Sequence, residues 1–191
     1  PAGMFCEDRL GVGCSDPYSA NLNGNQNRLG PRSHVDAFAG AYPWPFSAPA
    51  GDFLTPPPPT PTIGRGLQVP TDDIDPALNA GATYLIEGQY VTADDPAAGN
   101  ALNNTSYREV TIQDSINGTG SVVTPINTTQ RQVTAVEGWY DYDPSVVVQA
   151  ADVPGEGRFH VASKAIDNGE GKCSYVYAVR NQESHIHPGL L

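Results

Sequence analysis

The residues of this chain best equipped for chemistry are its clustered acids. Asp72, Asp73 and Asp75 stand together, Asp94 and Asp95 are adjacent, and Asp141 and Asp143 flank Tyr142. Turn carboxylates beside backbone carbonyls supply the oxygens that a hard cation such as calcium takes, but no cluster reproduces the calcium-binding loop with its closing glutamate. Solvated turn acids are therefore the stronger reading; calcium is the one cofactor candidate, and none is required. Paired carboxylates also cleave glycosidic bonds, but that chemistry depends on a carboxyl separation that sequence spacing does not fix.

Four histidines, His34, His160, His185 and His187, complete the titratable set. In an extended segment His185 and His187 share a face, as metal ligands can. Two ligands do not make a site, and an exposed tail is the simpler expectation. His160 falls in a strand pattern and is expected at the surface or half-buried. The sequence contains no G-x-S-x-G, no phosphate-cradling glycine loop and no H-E-x-x-H, so nothing nominates a nucleophile or a catalytic base. The expectation is a protein that is not an enzyme.

Sugar chemistry has more candidates. Asn103, Asn104, Asn117 and Asn127 each begin an N-x-Ser/Thr acceptor pattern, all within 27 residues. Thr55, Thr60 and Thr62 flank a proline run that suits O-linked glycans. Trp139, Tyr140 and Tyr142 in "EGWYDYDP" could form a platform on which sugar rings stack, with the neighbouring acids bonding hydroxyls. If that segment is a strand, Trp139 and Tyr140 point to opposite faces and one of them belongs to the core.

Cys6 and Cys14 enclose a short loop with Gly11 and Gly13 and are the favoured disulfide, closure of such a loop contributing about 2.5 kcal/mol in the chain-entropy model. Cys173 then remains, expected as a small buried hydrophobe, with a bridge to the N-terminal region as the rival pairing. Formal charge is −11, and residues 67–191 hold sixteen of the acids against six bases. That balance repels phosphate backbones, so nucleic acid is not an expected partner. No apolar run approaches the length of a membrane span. The opening "PAGMF" looks like a chain from which an export signal has been cut, and together with few lysines and abundant Asn, Thr, Gly and Ser it suggests an extracellular or cell-surface location.

The elements that must position these residues divide at about residue 70. Residues 1–70 hold twelve of the eighteen prolines, interleaved with aromatics, and show neither helix nor strand periodicity. Phe38, Tyr42, Trp44, Phe46 and Phe53 read as anchors of an extended arm, and the prolines of 55–62 as a stiff polyproline spacer. Residues 71–191 alternate apolar and polar, with expected strands at 82–93, 106–113, 120–126, 131–140, 145–153, 157–166 and 172–180. Seven short strands predict an all-β, antiparallel β-sandwich of Greek-key or jelly-roll type. "DNGEG" at 167–171 predicts the last hairpin, and "DIDPALNAG" one short helical turn with Asp75 as its cap.

The segments 10–46, "LGVGCSDPYSANLNGNQNRLGPRSHVDAFAGAYPWPF", and 73–112, from "DIDPALNAG" to "REVTI", resemble parts of uncharacterised secreted bacterial proteins. The resemblance covers about two fifths of the chain. It implies export and transfers no activity and no site residue. The leading expectation is a structural subunit of an extracellular polymer, filament or surface layer that assembles head-to-tail with itself, a near-neutral arm meeting an acidic body. The alternative is a secreted carbohydrate-binding module stabilised by calcium.

Overall fold

A computed structural model describes residues 35–42, 69–114 and 121–184. The expected arm anchors Trp44, Phe46 and Phe53, the spacer threonines Thr55, Thr60 and Thr62, the acceptor Asn117 and the pair Cys6 and Cys14 lie outside them.

The described chain is mostly antiparallel strand with few helices. In chain order the elements are α1 (Thr71–Ile74), β1 (Tyr84–Gln89), α2 (Asp94–Ala97), a 3-10 turn (Ala101–Asn103), β2 (Thr105–Asp114), β3 (Ser121–Pro125), β4 (Gln130–Arg131), α3 (Ala135–Tyr142), β5 (Val147–Val153), β6 (Gly157–Asp167) and β7 (Cys173–Asn181). One sheet runs β1-β2-β3, with β4 on the same side of β2 as β3; the other runs β5-β6-β7. The paths β1-β2-β3 and β5-β6-β7 each run in meander order, and β4 returns past β3 to pair with β2.

Six of the seven expected strands are present, and the seventh is corrected. Residues 135–142 are helix α3, not strand, because Thr134 and Glu137 form a capping box. The Thr134 hydroxyl accepts from the Glu137 backbone N–H at 3.2 Å, while the Glu137 carboxylate accepts from the Thr134 N–H at 2.8 Å. Two otherwise orphaned donors are satisfied at once, which outweighs the β propensity of "QVTAV". "DNGEG" turns as expected: the Asp167 carboxylate accepts from Gly169 N–H, and Asn168 and Lys172 close the hairpin. The short helix falls earlier than expected, at Thr71–Ile74, and Asp75 caps the following turn by accepting from Ala77 N–H.

Helix α3 packs against both sheets. Gly138 is buried at the middle of the helix because the Tyr107 ring of β2 occupies the space a Cβ would take. Tyr107 reaches on to bond the Asp141 carboxylate at 3.0 Å, so one strand residue fixes two turns of the helix. On the far face of the first sheet Val110 is buried beside Tyr84, whose hydroxyl bonds the Asp73 carbonyl and ties α1 down. Residues 35–42 form a small turn closed by paired Asp36–Ala41 backbone bonds. Ala37 is buried there, and Gly40 lies so close to the Thr92–Ala93 backbone that no side chain fits. This piece of the arm therefore sits on its own chain. No helix among the described residues is long and apolar enough to cross a membrane.

Candidate functional site

The β5-β6-β7 sheet has two unlike faces, and the register assigns every residue to one of them. Directly paired residues share a face. The pairs Val148–Ala162–Ala178, Ala150–His160–Arg180 and Asp152–Arg158 put the even-numbered residues on the side that meets α3 and the first sheet. The rows Val147–Ser163–Tyr177 and Gln149–Val161–Val179, with Ala151–Phe159, Val153 and Ala165–Tyr175, make up the opposite side.

The inner side combines Val148, the buried Ala162 and Ala178 with a layer of polar bonds. Arg180 donates through Nε to Glu87 at 2.7 Å and through an Nη to Gln89 and to the Thr105 hydroxyl, each at 3.3 Å, so it bolts β7 to β1 and β2. The second Glu87 oxygen accepts from Ala135 N–H at 2.8 Å, which adds a negative charge at the N-terminus of α3. His160, 4% exposed, bonds Gln182 at 2.7 Å through Nε2. Because Gln182 donates its amide to the Leu102 carbonyl, its oxygen is the acceptor and His160 carries a proton on Nε2. The other ring nitrogen stands 3.7 Å from Glu137, the capping-box carboxylate. His160 is thus buried, where a surface or half-buried position was expected, and it joins β6 to the start of α3.

Two carboxylates on this side illustrate opposite electrostatics. Lys164 and the Ser145 hydroxyl and N–H hold Asp143 down to about 2. Glu183, buried beside Gly157, is raised because burial disfavours its charge. The Tyr107 hydroxyl is pushed up to about 12 by burial first and by its bond to Asp141 second. His160 bonds Gln182, Arg180 bonds Glu87 and Asp143 bonds Lys164, so the layer positions the elements around it.

The outer side is largely apolar, with Gln149 and Ser163 among its residues, and no described element covers it. Tyr175 is 64% exposed, Tyr177 65%, Val179 56% and Val147 57%, and Val153 is also exposed. Contiguous apolar surface of roughly several hundred Å² marks an interaction site on a soluble protein. The β7 edge belongs to this surface. β7 pairs with β6 over nine uninterrupted residue pairs, from Phe159–Asn181 to Asp167–Cys173, and with nothing on its other side among the described residues. Its alternation was visible in the sequence, but which side the fold would leave uncovered was not.

The expected site residues do not gather here. Trp139 is half-buried, Tyr140 and Tyr142 are exposed, and the Tyr142 hydroxyl bonds Glu109 at 3.1 Å. On a helix, Trp139 and Tyr142 share one side and Tyr140 diverges from both, so the three rings do not form one plane. Asp72 and Asp73 lie in α1, Asp75 in the turn after it, and Asp94 and Asp95 in α2. Asp141 and Asp143 serve Tyr107 and Lys164. No group of three or more His, Cys, Asp or Glu converges as a metal-ligand set among the described residues.

Of the acceptor asparagines, Asn103 is exposed at the end of the 3-10 turn, but the Thr105 hydroxyl that completes its pattern is buried against Arg180. Asn104 is half-buried and contacts Gln89, and Asn127 donates to Glu109 at 2.7 Å. Phe38 and Tyr42 are exposed beside the small arm turn. Cys173 is free and exposed at the start of β7, not buried as expected.

No protein-family model, curated protein or solved structure matches the chain.

Proposed function

We propose that this chain is a structural subunit of an extracellular polymer, filament or surface layer, and that its outer β5-β6-β7 face receives the arm of a neighbouring copy. The observation that carries this is the open apolar face of Val147, Val153, Tyr175, Tyr177 and Val179. Leaving it in water forfeits the hydrophobic stabilisation that burial would supply, about 25 cal/mol per Å².

The arm has the composition to cover such a face. Residues 35–42 sit on their own body, so the part of the arm assigned to a neighbour is 1–34, which carries Phe5 and Tyr18. A head-to-tail contact of this kind is heterologous and propagates.

Electron microscopy and size-exclusion chromatography test the proposal on the full chain and on a chain lacking 1–34. Polymers that disappear on deletion support it, and polymers that form normally without 1–34 overturn it. Carbohydrate binding is the second reading, favoured by Tyr175 and Tyr177, exposed two residues apart on one strand face. Glycan-array binding lost in Tyr175→Ala and Tyr177→Ala would replace the assembly account.

A further inference from the structure

The β7 edge itself carries information that the outer face does not. Gln182 N–H donates to the Arg158 carbonyl, and Asn168 N–H donates to the Lys172 carbonyl. Both bonds flank the β6–β7 ladder at even-numbered residues. In an antiparallel ladder, hydrogen-bonded pairs alternate with non-bonded ones. Along the unbroken register, therefore, Ser174, Val176, Ala178 and Arg180 turn their N–H and C=O toward β6. Tyr175, Tyr177 and Val179 turn theirs outward, to the open edge.

Sheet edges are normally blunted by proline, by a bulge, by charge or by shortness. β3 is five residues long and ends in Pro125, and β5 carries Asp152 and is followed by Pro154. β7 has none of these devices. It is nine residues long, contains no proline and no bulge, and its single charge, Arg180, is held by Glu87 on the inner side.

We infer that β7 pairs antiparallel with β7 of a second copy of this chain about a two-fold axis at Tyr177, making one continuous six-stranded sheet. Tyr177 then faces its own symmetry mate, and Tyr175 faces Val179 of the other copy, so the outward N–H and C=O groups of all three find partners. Arg180 falls opposite Ser174, and Lys172 opposite Gln182. With the axis at Val176 instead, Lys172 would oppose Arg180, and like charges directly opposite destabilise a sheet. The central stretch from Cys173 to Val179 is uncharged, which is what lets two chains of net charge −11 approach there. The contact is isologous and closes on itself, so it adds a second, independent interface to the head-to-tail one and joins polymers laterally.

Sedimentation velocity across a concentration series tests this on the full chain, on Tyr177→Pro, on Tyr177→Lys and on a chain lacking 1–34. Tyr177→Pro removes an outward N–H, and Tyr177→Lys places like charges at the axis; circular dichroism checks that each retains its strands. The expected result is a dimer, twice the mass of the shortened chain, in the chain lacking 1–34, lost in that background by both substitutions. A monomer at every concentration in the chain lacking 1–34, or a dimer that survives Tyr177→Lys with its fold intact, overturns the inference. Failure of the arm proposal reads out separately, as polymers that persist without 1–34.

Discussion

The two faces of the β5-β6-β7 sheet depart from the usual antiparallel sheet with one wet side, which turns apolar residues to the core and polar ones to water. Here the inner face mixes Val148, the buried Ala162 and Ala178 with His160, Lys164, Arg158 and Arg180, while Val147, Tyr175, Tyr177 and Val179 stand exposed on the outer face beside Gln149 and Ser163. The inner face is held by directed polar bonds, which fix geometry but contribute modest net stability, ~1 kcal/mol each. The outer face offers non-directional apolar burial to whatever covers it. The difference teaches that the two faces have separate tasks: one sets the angle between sheets and helix, and the other is an unfinished interface. Substitutions should divide accordingly, with inner-face changes damaging the fold and outer-face changes sparing it.

The largest effect is expected at Arg180. Arg180→Met leaves the half-buried Glu87 carboxylate without its cation and removes the bonds to Gln89 and Thr105. A loss of about 2–3 kcal/mol in denaturant unfolding should follow. Next comes Gly138→Ala, which drives a Cβ into the buried Tyr107 ring. The gain in helix propensity offsets part of the strain, and a net loss of about 1–2 kcal/mol is expected.

Acid titration should produce a smaller, two-signed response. Asp143 is held near 2 in the folded chain against an ordinary 3.8. Its stabilisation is therefore complete above about 3.8 and is lost as pH falls toward 2. Glu183 is raised above its ordinary 4.5, so its protonation favours the folded state as pH falls from neutral through its folded pKa. The melting temperature should rise slightly on mild acidification and then fall below pH 4. Lys164→Met should flatten the fall, and Glu183→Gln the rise.

The smallest effect on stability belongs to the outer face. Tyr177→Lys should shift unfolding by no more than about 0.5 kcal/mol, since the ring touches little within its own chain. A large destabilisation by Tyr177→Lys, or a negligible one by Arg180→Met, would erase the contrast between the faces.

Much of the framework was legible in the sequence. Alternation located six strands to within a few residues, and "DNGEG" announced its hairpin. The helix at 135–142 was missed because Val133, Val136, Trp139 and Tyr140 carry β propensity. Thr134 and Glu137, spaced as a capping box, were the local signal that would have found it. The polar layer had no such signal. Arg180 meets Glu87 across 93 residues of chain and Gln182 meets Leu102 across 80, and no local pattern encodes contacts of that range. His160 looked like a surface or half-buried residue because a strand with polar residues on alternate positions is read polar-side-out. Here the first sheet and α3 cover that side. Tyr175, Tyr177 and Val179 stood in view as an apolar stripe, and only the pairing partners of β6 show which side of the sheet they occupy.

Backbone hydrogen exchange at Tyr175, Tyr177 and Val179 tests the central claim most directly, because their amides are the ones that point to the open edge. In the isolated chain they should exchange freely while Val176 and Ala178, bonded to β6, are protected. In assembled material Tyr175, Tyr177 and Val179 should become protected together. If they still exchange freely in the assembly, the β7 edge is not an interface between copies.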